Sequence, residues 1–217
     1  MPENEEIRNE EVVQEVSTPK KKNFDKNSVL WCVMILVIIG VVAGALLGGI
    51  NVVTYVDPDE AILTIISDNY NGATDITKDN SLAINGYANG SCESVFTYNV
   101  NGNKMACYYC IGKGAYDGEI EILFFVTESG IVDGVKVYAN GETSSVGGKV
   151  LKVIDKIKGF DLTTLTNYGA TTNSEVQEFS KKESPWHNHN YYVSGATVTT
   201  KGVTNALKVC AAAFNNK

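Results

Sequence analysis

The chain has 217 residues, a formal net charge of -7 and a sequence pI near 4.9; 44% of it is hydrophobic and 20% charged. That length holds one ordinary domain and a further segment, not two large domains. The acidic balance excludes nucleic acid as a partner, because binding phosphates needs a basic face.

From the N-terminus, residues 1–28 are rich in Glu and poor in apolar side chains, which predicts a disordered leader. Val29 to Ile50 reads VLWCVMILVIIGVVAGALLGGI, 22 residues without a charge. In a helix this run spans a hydrocarbon core of roughly 30 Å. A cleavable signal peptide has a shorter apolar core, about 7–15 residues, so the run is read as a retained transmembrane helix. Ala43, Gly44 and Ala45 nevertheless have the small size of a cleavage site. Lys20, Lys21, Lys22 and Lys26 precede the run, and the first basic residue after it is Lys78. Positive residues stay inside, which predicts a single-pass protein of the cell membrane with its N-terminus cytoplasmic and residues 55–217 as an extracytoplasmic domain.

Within that domain, Pro58–Ser67 has helical spacing after Asp57, a suitable N-cap. Asp68–Gly90 is rich in Asn, Asp and Gly and reads as loop, broken at most by a short strand. Val95–Val100 and Met105–Ile111 bracket Asn101-Gly102-Asn103 as a hairpin. Glu119–Val126 and Ile131–Tyr138 bracket Glu128-Ser129-Gly130 as a second, and the alternation Ile120, Ile122, Phe124 predicts one buried face. Val146, Val150, Ile154 and Ile157 then recur on one helical face, with Gly159 as the terminating residue. Asp161–Asn190 is polar with few apolar anchors, and Val203, Leu207, Cys210 and Phe214 mark a last helix. The order predicts an α+β domain built around an antiparallel sheet with flanking helices.

Cys32 falls in the apolar span and reads as a small apolar residue. Cys92, Cys107, Cys110 and Cys210 lie outside, where disulfides form. Cys107 and Cys110 point to opposite faces of a strand, and a turn at Asn101–Asn103 would bring Cys92 towards Cys110; the expectation is a structural disulfide, with the pairing among the four left open and reduced thiols as the alternative. His187 and His189 lack convergent partners and read as surface loop, and no metal site is expected. No Ser-His-Asp or paired-carboxylate arrangement is supported by spacing.

The chemistry concentrates at Ser194–Thr200, SGATVTT. Gly-Ala-Thr occurs three times, at Gly72–Thr74, Gly169–Thr171 and Gly195–Thr197; the first lacks the preceding serine and a following helix start, and the second lacks the serine and an upstream aspartate. Thr199 or Thr200 is expected to cap that helix, leaving Thr197 within one turn of its positive end. Free N–H groups and the macrodipole there favour an anion such as phosphate, and Lys201 adds a positive charge. Gly195 and Ala196 leave the Thr197 hydroxyl accessible.

Ser194-Gly-Ala-Thr-Val-Thr199 resembles the SGATxT motif of the covalent-FMN domain found in the G subunit of the Rnf electron-transport complex and in the C subunit of the sodium-translocating NADH:quinone oxidoreductase. Tyr116-Asp-Gly-Glu-Ile120 resembles the family's YGGPI. Glu142-Thr-Ser-Ser-Val-Gly147 resembles its ETPGLG, without the proline and one glycine. The acidic residue usual three positions before the serine is replaced by Tyr191. The resemblance implies FMN held by a phosphoester to Thr197. It also implies a binding region that includes Ser194, Gly195, Ala196, Thr199, Lys201, Glu142, Thr143, Val146 and Tyr116. A flavin transferase would install the cofactor, and the partners would be the other membrane subunits of an Rnf-type complex. The role implied is an electron relay in an ion-translocating ferredoxin:NAD+ oxidoreductase, not an enzyme acting alone. A stand-alone anchored flavoprotein passing electrons outside the cell, and a flavin-free anchored binding domain, are the alternative readings.

Overall fold

The computed structural model describes residues 26–55, 57–184 and 186–216. The chain divides into two units, residues 1–56 and 57–217. Most of the predicted leader lies outside the described residues.

The first unit contains helix α1, Lys26–Thr54, 29 residues long. Its side chains from Val29 to Thr54 are all exposed, and they are apolar all round until its last turn. Such a helix has no polar face to turn towards water. It is long and apolar enough to cross a bilayer, as a membrane anchor or as a signal sequence.

The second unit opens with α2, Pro58–Asn69, which begins where the sequence places it. The Asp57 side chain accepts a hydrogen bond from Asp59 N at 2.9 Å, and proline occupies the first helical position. The Asn- and Gly-rich stretch after it folds into more than loop: β1, Thr74–Lys78, a 3₁₀ turn at Asn80–Leu82, and β2, Ile84–Tyr87. The long strands follow as two hairpins, β3 (Gly90–Val100) with β4 (Asn103–Ala115), then β5 (Gly118–Thr127) with β6 (Val132–Asn140). Asn101 and Gly102 turn the first hairpin with φ of 50° and 82°, conformations that asparagine and glycine tolerate. The sheet is antiparallel throughout, in the order β1-β3-β4-β5-β6, with β2 also paired to β3. The α+β architecture therefore stands.

The sheet is buried on both faces, where one buried face was expected. Ile120, Ile122, Phe124 and Val126 face the main core, while Leu123 and Phe125 join a second cluster with Ile62 and Ile66 of α2. Strand alternation therefore reports which core a residue enters, not whether it is buried. Against the main face lies α5, Thr197–Asn215, chiefly over β4. The approach is close because Gly112 and Gly202 meet there. A Cβ on Gly112 would lie 2.7 Å from Ala206 N, and one on Gly202 would lie 2.7 Å from the Ala115 methyl.

Between β6 and α5 the periodic helix expected from Val146 to Ile157 is broken. Only α3, Gly148–Leu151, is α-helical, and a 3₁₀ turn at Ile154–Ile157 follows. Val150, Ile154 and Ile157 are buried as predicted, but Val146 is exposed. Paired glycines at 147 and 148 weaken helix initiation there. The region 161–190 is better anchored than its composition indicates. It contains a 3₁₀ turn at Leu162–Thr164, α4 (Asn173–Gln177) and a 3₁₀ turn at His187–His189. Trp186 stacks between Phe160 and Phe179, with centroids 5.1 and 4.8 Å away and interplanar angles of 18° and 16°. His189 Nδ1 donates to Lys156 O at 2.9 Å and the ring lies edge-on to Phe160, a structural role.

Cys107 and Cys110 do enter opposite cores, and Cys92 lies directly across from Cys110. The expected disulfide is not formed: all five cysteines are free thiols. Cys92 instead donates to Ser94 O at 3.8 Å, and its contact with the Cys110 thiol, reinforced by burial, pushes its pKa far up. These protonated thiols behave as core residues.

Candidate functional site

Three turns converge at the N-terminal end of α5. The first joins β4 to β5 and carries Tyr116 and Asp117 between Gly114 and Gly118, whose φ values are 84° and 95°. The second leaves β6. Here Asn140 Oδ1 accepts from Glu142 N at 3.1 Å, and Thr143 O accepts from both Val146 N and Gly148 N at 3.0 Å. The third is Ser194–Ala196, in which Gly195 has φ 83° and Ala196 N donates to Val193 O at 3.0 Å.

Glu142 ties the three together. Its Oε1 accepts from Tyr116 N at 2.8 Å and its Oε2 from the Thr199 hydroxyl at 2.5 Å. Gly147 makes this possible, since a Cβ there would overlap the Glu142 carboxylate and lie 2.5 Å from Thr199 Oγ1. The expected capping by Thr199 or Thr200 does not occur. The helix starts earlier, at Thr197, with Ala196 in the cap position and no side-chain cap. Thr199 is buried and turned to Glu142, and Thr200 Oγ1 donates back to Ala196 O at 3.0 Å. An uncapped first turn keeps N–H groups without intrahelical partners.

The turns enclose a cavity of about 370 Å³ lined by Tyr116, Glu142, Thr143, Val146, Gly147, Gly195, Ala196, Val198 and Thr199. Seven of the residues that the sequence assigns to a binding site therefore line one cavity. Gly147 and Val198 also line it, and sequence reading missed both. Thr197, half-buried, lies between two lining residues, Ala196 and Val198; Ser194 and Lys201 flank the same turn but do not line the cavity. A larger recess, about 740 Å³, lies around the β3–β4 turn and Tyr70, away from these motifs. Its rim is mostly exposed turn residues.

A flavin phosphate can be tested against this cavity. Among the described residues of the second unit, the exposed large hydrophobic side chains are Tyr116 at 73%, Val146 at 48% and Val198 at 44%, and all three line it. Clustered exposed apolar groups mark a binding surface. The uncapped start of a long helix suits a phosphate, with Lys201 one turn on. Glu142 adds a negative charge to the wall, but both its oxygens are engaged by protein donors. The cavity volume lies within the usual range for small-molecule sites. The residues present fit the group.

The other Gly-Ala-Thr copies are placed differently. Thr74 begins an exposed edge strand, and Thr171 is buried against the middle of α5. Tyr191 is fully buried, and its hydroxyl meets Thr204 Oγ1 at 2.7 Å.

No curated protein matches the chain. Residues 115–212, from the end of β4 to the last turns of α5, match the model of the family described as FMN-binding domain, and the cofactor that this match implies is FMN.

Proposed function

We propose that this protein is an electron-relay subunit of an Rnf-type ion-translocating ferredoxin:NAD+ oxidoreductase, with FMN esterified to Thr197. The observation that carries the reading is the position of Thr197. It opens α5 beside the cavity ringed by Tyr116, Val146 and Val198, inside the segment matched to the FMN-binding domain. When bound, FMN supplies the exchange of electrons singly or in pairs. The chain supplies attachment, orientation and shielding. The Thr197 hydroxyl would carry the FMN phosphate as an ester, installed by a flavin transferase. The first-turn N–H groups and Lys201 then face the phosphodiester charge. Tyr116, Val146 and Val198 exclude water from the apolar ring system.

Helix α1 acts as a membrane anchor in this reading and keeps the domain on the outer face of the bilayer, near membrane-embedded carriers. Covalent attachment keeps the cofactor from being lost to the medium by dilution. The experiment is to produce the full chain together with a flavin transferase and to illuminate the SDS-denatured band. Yellow-green fluorescence is expected from the native sequence and none from Thr197→Val; a fluorescent Thr197→Val band contradicts the assignment. Membership of a complex is tested by purification from native membranes. Co-purifying membrane redox subunits support the relay, and a chain isolated alone with its flavin indicates a stand-alone flavoprotein.

A further inference from the structure

The geometry points to Glu142 as a positioning residue for the acceptor threonine: it holds the first turn of α5 in place without itself binding flavin. This role rests on the proposed attachment at Thr197. Both carboxylate oxygens are already used, one by Tyr116 N at 2.8 Å and the other by Thr199 Oγ1 at 2.5 Å. Glu142 therefore has its strongest hydrogen bonds directed into the protein, one to the β4–β5 turn and one to α5. The need for such a clamp follows from the local sequence. Ala196 gives α5 no side-chain cap. Gly195 before it has φ 83° and no atom within 4 Å of where a Cβ would stand. A helix end with a glycine hinge and no cap frays. Thr199 lies two residues after Thr197, and its bond to Glu142 ties that turn to a rigid hairpin.

Gly147 belongs to the same device. Its backbone has φ -64° and ψ -38°, so alanine meets no conformational barrier there. A methyl group would nevertheless intrude between the Glu142 carboxylate and the Thr199 hydroxyl. Gly147→Ala thus opens the clamp while leaving both of its members in place.

The test is the rate of covalent flavin incorporation into the full chain by a flavin transferase, followed by in-gel fluorescence, together with amide exchange across α5. Glu142→Ala and Gly147→Ala should each slow incorporation by about tenfold or more, since a misplaced nucleophile loses its near-attack geometry. In both, exchange of the Thr200 and Lys201 amides, the first in α5 with a carbonyl four residues back to accept them, should quicken while that of Val203 to Ala213 stays as in the native protein. Glu142→Gln keeps an acceptor for Tyr116 N and offers a donor to Thr199 Oγ1, so it should incorporate flavin within about twofold of the native rate. If Glu142→Ala does not fold, Thr199→Val carries the same expectation. Native rates in Glu142→Ala and Gly147→Ala overturn the role. So does a Glu142→Gln rate as slow as that of Glu142→Ala, which makes charge the operative property. A native chain that takes up flavin at another residue overturns the attachment and this role together; a slow or fast Glu142 variant bears on the role alone.

Discussion

Two Gly-Ala-Thr tripeptides lie against the same helix and do opposite things. Gly169–Thr171 is fixed to the middle of α5. Thr171 N donates to Asn205 Oδ1 at 2.8 Å, Gly169 O accepts from Lys208 Nζ at 3.2 Å, and the Lys208 side chain, 1% exposed, also pairs with Glu175 at 2.9 Å. Its threonine is 3% exposed. Gly195–Thr197 forms the start of α5, with Ser194 and Gly195 exposed and Thr197 half-buried. Gly169–Thr171 holds its segment to the domain, and Gly195–Thr197 presents a hydroxyl. The tripeptide has no meaning of its own; what the helix offers at the point of contact decides its role. At mid-helix α5 offers side chains, and at its start it offers backbone N–H groups.

This contrast can be broken by substitution. Lys208→Ala should have the largest effect on stability, about 3 kcal/mol in denaturant titration, because it leaves Gly169 O and the Glu175 carboxylate without their buried partner. Glu175 is partly exposed, which keeps the cost at the lower end for such pairs. Asn205→Ala should cost about 2 kcal/mol, since Asn205 both accepts from Thr171 N and donates to Lys113 O at 2.7 Å. Neither change should lower the flavin content of the folded fraction. Thr171→Val should shift stability by no more than about 0.5 kcal/mol in either direction, because Thr171 Oγ1 is buried without a hydrogen-bond partner. Thr197→Val should be equally quiet in a thermal melt, within about 0.5 kcal/mol, yet remove all covalent flavin. A strong loss of stability in Thr197→Val, or loss of flavin in Thr171→Val, would reverse the roles assigned to the two copies.

Much of the fold could be read before the structure, and the failures have physical causes. The cap at Asp57, the Asn101-Gly102 hairpin turn and the buried stripe Val203, Leu207, Cys210 are local signals, and each appears where the residues place it. The core of 161–190 was hidden because Phe160, Phe179 and Trp186 are far apart in sequence and follow no period; they meet only by stacking. The second sheet face was hidden because the residues covering it, Ile62 and Ile66, precede the sheet by a full segment. At the site, the Glu142 motif was visible as a resemblance, but its partnership with Thr199 spans 57 positions and no local rule reports it. Thr199 was misread as a cap for that reason: a threonine near a helix start usually serves the backbone, and here a carboxylate competes for it. Val198 and Gly147 could have been found together with Val146, an apolar residue left exposed beside a glycine that cannot carry a side chain.

The most direct measurement is peptide mapping by mass spectrometry of the full chain produced with a flavin transferase. Cleavage after lysine yields a fragment from Glu183 to Lys201. One FMN phosphoester on that fragment, fragmenting to Thr197, is the predicted result. FMN on a fragment containing Thr74 or Thr171, or no covalent flavin in any fragment, would contradict the account.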